Sequence, residues 1–141
     1  MTAPTTRYQA DFVLPCDAAG TVIRGGAVDV AADGRIRWVG PAAAAPDLTA
    51  AGAAVSTRRL AGLLMPGLVN THCHSPMTVL RGQGEGLPLL RWLREVIWPR
   101  EGRITEEDVF WGMTLASAEM LRYGVTTSCE MYFRNDAVVA A

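Results

Sequence analysis

The chain is poor in the residues that build metal and disulfide frameworks. It has two histidines, His72 and His74, and three cysteines, Cys16, Cys73 and Cys129, in 141 residues. An odd number of widely separated cysteines excludes a disulfide framework and a Cys-x-x-Cys zinc site. An excess of one charge is also missing: 13 basic against 14 acidic residues give a formal charge of −1. Without a basic field, neither nucleic acid nor an anionic membrane is an expected partner. No apolar run approaches the ~20 residues that cross a bilayer. The first residues do not follow the charged-then-apolar order of a signal peptide. The expectation is a cytoplasmic protein.

What is present concentrates in residues 64–74, Leu64-Met65-Pro66-Gly67-Leu68-Val69-Asn70-Thr71-His72-Cys73-His74. Residues 67–71 read as a short buried strand bounded by Pro66-Gly67. Strand side chains alternate, so His72 and His74 share a face with Leu68 and Asn70. Val69, Thr71 and Cys73 take the other face, where Cys73 is expected as a buried thiol against a helix. Two imidazoles side by side form half of a metal site. A catalytic zinc usually takes three protein ligands and a water. A strand that merely surfaces would also show two polar residues, so His-x-His alone leaves both readings open.

Upstream, residues 8–14 read as a strand ending at Pro15, with a turn at residues 17–20. A second strand covers residues 22–30, with Gly25-Gly26 a candidate bulge. Asp33-Gly34 predicts a type I′ hairpin turn. In the next strand, Ile36 and Trp38 fall on one face, and Trp38 reads as core. Residues 41–54 are alanine-rich but interrupted by Pro46 and have no apolar face, which predicts a surface connection. Residues 55–64 return to strand character.

After His74, Ser75-Pro76 turns the chain and residues 77–81 read as a helical turn. Residues 82–86 read as a flexible glycine-rich loop without the GK[ST] ending of a phosphate cradle. A helix follows Leu87-Pro88, with Leu89, Trp92, Leu93, Val96 and Ile97 on one face and its end at Trp98-Pro99. By that pattern Trp92 belongs to the core, and Glu101 reads as a solvated acid. Thr105 caps a second helix over residues 105–123, with Asp108 completing a capping box. Val109, Met113, Ala116 and Met120 form its buried stripe, and Gly124 its C′ residue. Residues 125–133 read as a second parallel strand, and residues 135–141 begin another helix.

The run from Met65 to His74 closely resembles the first barrel strand of the amidohydrolase superfamily. Met77-Thr78-Val79-Leu80-Arg81-Gly82, Leu87-Pro88-Leu89, Trp92-Leu93, Ile97-Trp98-Pro99 and Met131-Tyr132-Phe133 resemble one branch of it. That branch holds the 5-methylthioadenosine/S-adenosylhomocysteine deaminases and the triazine hydrolases. The resemblance implies an α/β fold, the N-terminal part of a (β/α)8 TIM-like barrel preceded by half of a small β-sandwich. It implies that His72 and His74 bind the metal, Zn²⁺ or alternatively Fe²⁺, because imidazole suits both. It places Trp92 at the substrate pocket and Glu101 at the ribose hydroxyls. The family often carries Asp before Met-Tyr-Phe, where this chain has Glu130.

The implied reaction is hydrolytic deamination of an adenosine-like nucleoside or related heterocycle, a small-molecule substrate. An s-triazine hydrolase or a guanine- or cytosine-type deaminase is the alternative, and a catalytically silent fragment the non-enzymatic one. A (β/α)8 barrel takes ~250 residues, so this chain has room for its first two strands. The expectation is an N-terminal piece, with residues 1–63 in the sandwich and 64–141 in the barrel. The proton-shuttling residues and further ligands are expected downstream, with no catalytic residue in this chain. A homo-oligomer is compatible with the sequence, which does not fix the oligomeric state.

Overall fold

β-Branched and aromatic residues spaced between turn signals build the first half of the chain into strands. The computed structural model describes residues 4–49, 52 and 54–141. The chain divides into two compact units, Met1–Pro66 and Gly67–Ala141. The first is a four-stranded sheet of β1 (Thr5–Val13), β2 (Ile23–Ala31), β3 (Ile36–Pro41) and β4 (Val55–Leu64), in the order β3-β2-β1-β4. β1 pairs antiparallel to β2 and parallel to β4, and β3 pairs antiparallel to β2. Ala10, Val13 and Val28 form its core, with Ile23, Val30 and Leu64 against them.

Arg7 and Asp29 stand opposite each other on β1 and β2. Their side chains meet through two hydrogen bonds of 2.7 and 2.8 Å, with Asp29 only 1% exposed. Arg7 also donates to the Pro46 carbonyl at 2.8 Å, which fastens the predicted surface connection to the sheet. Removing one member of such a buried pair costs about 3–5 kcal/mol, because the other charge is left without its partner.

Three local readings are corrected in this unit. The hairpin turn is not type I′: Gly34 has φ +77° but Asp33 does not enter the positive-φ region. Gly34 N–H donates to the Ala31 carbonyl and Ala31 N–H to the Arg35 carbonyl, the three-residue loop with glycine in the left-handed position. Ile36 and Trp38 do not share a face. Asp29 pairs with Trp38 and Val30 with Ile36, so one extra residue in β3 breaks the alternation. Ile36 joins Val39 beside Val28 and Val30 in an apolar hollow of about 300 Å³. Trp38 is half-buried over Gly40, where a Cβ would come within 2.6 Å of its ring. Finally, the β1–β2 register runs without a shift past Gly25-Gly26. The irregularity falls in β4 between Leu60 and Leu63, where Gly62 N–H donates to Asp11 Oδ2 at 2.7 Å.

The second unit holds two parallel strands, β5 (Leu68–Cys73) and β6 (Val125–Glu130). Between them run a 3-10 segment (Ser75–Leu80), a helical stretch and α3 (Glu106–Arg122); α4 (Asn135–Ala140) follows β6. The helical stretch comprises α1 (Leu89–Arg91), a π-helical turn (Trp92–Ile97) and α2 (Trp98–Glu101). It therefore does not end at Trp98-Pro99. A proline inside a regular helix clashes with the carbonyl four residues back; here a wider π turn immediately precedes it, a known way for a helix to absorb an irregularity. The predicted apolar face buries Val96 and Ile97, half-buries Trp92 and Leu93, and leaves Leu89 exposed. The glycine-rich loop folds back as turns against this stretch, with Gly84 beneath Trp92 and Val96.

α3 begins as its sequence predicts. Asp108 N–H donates to Thr105 Oγ1 at 3.2 Å and Thr105 N–H donates to Asp108 Oδ2 at 2.8 Å, a complete capping box. Val109 and Ala116 are buried, Met113 and Met120 half-buried. Gly112 joins this stripe, because the backbone of Pro76 lies where its Cβ would be. Thr78 Oγ1 donates to the Gly112 carbonyl at 2.7 Å, fixing α3 on the 3-10 segment. Ile104, Val109 and Tyr132 form the core beside Met77, Leu80, Ala137 and Val138.

Candidate metal centre and its surroundings

β5 carries the histidines to its C-terminal tip. The β5–β6 register shifts between Asn70 and Cys73, so the strand accommodates an extra residue beside His72. There the His72 N–H donates to the Asn70 side chain at 3.3 Å. The two imidazoles remain neighbours across this irregularity, with ring centres 5.1 Å apart and planes at 80°. Both side chains are exposed. Two imidazoles sharing one tetrahedral cation at N–metal distances near 2.0–2.1 Å have ring centres about 5 Å apart. The spacing and donor chemistry fit one half of a divalent-cation site. Among the described residues no group of three or more His, Cys, Asp or Glu gathers to hold a metal.

Cys73 is half-buried, and its thiol donates to the Cys129 carbonyl and to Glu130 Oε2, each at 3.4 Å. Burial raises its pKa and Glu130 raises it further, against a lowering by Ser75 and Ser128. Cys73 and His74 also border a hollow of about 420 Å³ whose other walls include Ala116 and Met120 of α3.

Glu130 is the residue that strand and helix patterns do not bring out. Its Oε2 accepts from Ser75 N–H at 2.9 Å, and its Oε1 accepts from Met131 N–H at 2.9 Å and Tyr132 N–H at 3.1 Å. Burial opposes its ionisation. Hydrogen bonds from Ser75, Cys73 and Met131 outweigh burial and hold its pKa below the ordinary glutamate value. The one available signal was its place before Met131-Tyr132-Phe133.

The two expected substrate residues lie in different settings. Glu101, half-buried at the end of α2, accepts a 3.0 Å hydrogen bond at Oε1 from the Tyr132 hydroxyl. Trp92, half-buried in the π turn, donates its indole N–H to the Gln83 carbonyl at 2.8 Å. Hydrogen bonds thus join Glu101 to Glu130 through Tyr132, while Trp92 is tied to the glycine-rich loop.

Comparison with known proteins places this architecture. Residues 63–141 match the model of the amidohydrolase family. A 5-methylthioadenosine/S-adenosylhomocysteine deaminase of Symbiobacterium thermophilum is 46% identical over 92% of this chain and 29% of its own length. A 5'-deoxyadenosine deaminase of Methanopyrus kandleri is 51% identical over 56% of this chain and 18% of its own. Among solved structures, an adenosine deaminase from Xanthomonas campestris with bound zinc superposes with a TM-score of 0.83 at 40% identity. That match covers 99% of this chain and 31% of the deaminase. The chain therefore spans about 30% of the length of such relatives. With its sheet followed by a β-helix-β unit, it has the fold of their corresponding part, and it belongs to the amidohydrolase family.

Proposed function

We propose that this chain supplies the first metal-ligand pair and part of the substrate wall of a metal-dependent hydrolase that deaminates adenosine-like nucleosides. The observation that carries this reading is the 5.1 Å spacing of the exposed His72 and His74 rings at the tip of β5. Its support is the 40–46% identity to deaminases of adenosine-type nucleosides across nearly the whole chain. The likeness to an atrazine chlorohydrolase, at 18% identity, bears on the fold alone.

His72 and His74 would hold Zn²⁺, or Fe²⁺, as neutral imidazoles. When bound, such a cation supplies Lewis acidity and lowers the pKa of a water to about 7. With only two histidines in the chain, the remaining ligands and proton-transfer groups would come from outside these residues. The chain's own part is to present the pair on one side of a strand tip and to offer Glu101 to the sugar. A carboxylate has about four lone-pair sites, so the hydrogen bond from Tyr132 leaves Glu101 able to accept from neighbouring ribose hydroxyls. Trp92 would contribute an apolar ring face to the pocket, its N–H being spent on Gln83.

The test combines metal analysis with ammonia release from 5-methylthioadenosine in the intact protein. His72→Ala and His74→Ala are each expected to lower bound zinc and to cut kcat/KM by at least about a thousandfold, about 4 kcal/mol. Full zinc content and full activity in both variants would sink the reading.

A further inference from the structure

The geometry points to Glu130 as a positioning residue for His74, holding the ligand-bearing tip of β5 through its carboxylate where the backbone ladder gives way. This inference rests on the metal-ligand reading of the histidine pair and adds the group that keeps the pair in place.

Parallel strands are held by evenly spaced backbone hydrogen bonds. Between β5 and β6 that spacing shifts twice, between Leu68 and Val69 and again at the histidines, where Asn70 pairs with Ser128 but the next pair is Cys73 with Glu130. The His72 N–H has turned to the Asn70 side chain. Beyond this break the strand ends meet again only at the Cys73–Glu130 pair, where Met131 N–H donates to the Cys73 carbonyl at 3.1 Å. His74 lies just past that last pair, outside β5, and a metal ligand displaced by a few tenths of an ångström no longer matches its bond length.

Glu130 reinforces the ladder past this break. One oxygen accepts from Ser75 N–H and the Cys73 thiol, the residues on either side of His74. The other accepts from Met131 and Tyr132 N–H, the residues that leave β6. His74 is thus bracketed by two groups bound to one carboxylate, and that carboxylate is anchored to the neighbouring strand. Bonds from N–H groups to an ionised acceptor are stronger than those to a neutral one. Both oxygens must accept, so an amide cannot substitute: its NH2 would face donors on one side or the other. The carboxylate does not itself reach the imidazole in any hydrogen bond recorded among the described residues, so its action is through the main chain.

The experiment measures Zn²⁺ affinity of the intact protein by chelator competition, alongside thermal unfolding of the metal-free form. Glu130→Gln is expected to weaken Zn²⁺ binding at least about tenfold, the lower end of what loss of an outer partner costs. Thr105→Ala, which opens the α3 capping box far along the chain from the strand tip, serves as the stability control. It is expected to lower the unfolding temperature while leaving Zn²⁺ affinity within about twofold. Should Glu130→Gln prove insoluble, Glu130→Asp keeps the charge but withdraws the carboxylate by one methylene, and is expected to weaken Zn²⁺ binding in the same direction. Unchanged affinity in the soluble Glu130 variant, or an equal loss in Thr105→Ala, would overturn the positioning role. If His74→Ala retained full Zn²⁺ affinity, the metal reading would fall and this inference with it. Loss in His74→Ala with no change in the Glu130 variant would remove this inference alone.

Discussion

The Tyr132 hydroxyl donates a 3.0 Å hydrogen bond to Glu101 Oε1, while its main-chain N–H donates to Glu130. A single buried residue, 6% exposed, thereby links the end of the helical stretch to the end of β6. Burial raises the pKa of this hydroxyl and the neighbouring Glu101 raises it further. Tyr132 therefore stays a neutral donor across the physiological range.

Tyr132→Phe removes that donor and little else. Stability is expected to fall by about 1.5–3 kcal/mol, the range for a hydrogen bond to a charged acceptor. The raised folded-state pKa fixes the sign of the pH dependence. The contribution is fully present below the ordinary tyrosine value of 10.0 and is lost as pH rises through the higher folded value. Urea unfolding of both proteins from neutral to strongly alkaline pH should show a constant gap that narrows above about pH 10. A gap that widens there would refute the assignment.

Glu101→Ala tests the proposed sugar contact. In the intact enzyme kcat/KM for a nucleoside is expected to fall at least about tenfold, equal to ~1.4 kcal/mol, with free bases little affected. An equal loss on nucleoside and base would mean that Glu101 acts through its bond to Tyr132 rather than on ribose.

Features carried by a single chain segment were legible in the sequence. The closeness of the His72 and His74 rings, 5.1 Å apart, follows from their places two apart on one strand end, and the start of α3 from Thr105 and Asp108 three residues apart. Features set between segments were not. The extra residue in β3 that separates Ile36 from Trp38 is defined by β2, and the shift beside His72 is defined by β6. Gly112 reads as a weak point in a helix until Pro76 is seen against it. Glu130 and Tyr132 resemble ordinary strand-end residues, and their importance comes from partners 31 to 57 positions away: Cys73 and Ser75 for Glu130, and Glu101 through the Tyr132 hydroxyl. The π turn before Pro99 likewise has no periodic signature, since it changes the period itself.

Gly112→Ala is expected to destabilise the protein although alanine is the better helix former by about 1 kcal/mol. The added methyl meets the Pro76 backbone, which cannot rotate away as a side chain would. Overpacking of this kind costs about 1–3 kcal/mol, and it would also strain the Thr78–Gly112 bond. Thermal unfolding reads the outcome directly. An unchanged or raised midpoint would show that α3 can move off the 3-10 segment without penalty.

The capping box predicts an acid-side dependence. Backbone and side-chain hydrogen bonds from Thr105 hold the Asp108 pKa below its ordinary 3.8. A depressed folded value means stability that is present above the unfolded pKa and lost as pH falls through the folded one. The difference between the natural protein and Asp108→Asn should therefore be full at neutral pH and disappear in strongly acid solution. Thr105→Ala should cost about 1 kcal/mol at neutral pH. A difference that grew on acidification would rule out this source.

Residues 1–141 expressed alone are expected to self-associate and to hold zinc weakly. The sheet of the first unit leaves an apolar hollow lined by Val13, Val28, Val30, Ile36, Val39 and Leu64, with little polar surface in its walls. In the second unit the two-stranded sheet leaves Leu68 49% and Val69 59% exposed. Apolar surface and unpaired strand edges of this kind are aggregation hazards unless another segment or chain covers them. Two strands are also too few to close a barrel, which removes edges only by closing. Two imidazoles leave a zinc ion short of the usual third protein ligand, so stoichiometric retention through gel filtration is not expected. Light scattering, dye binding to exposed apolar surface and zinc analysis of the eluted protein check these outcomes together. A monomer with a sharp unfolding transition and one tightly held zinc would show that these residues cover their own edges and complete their own site.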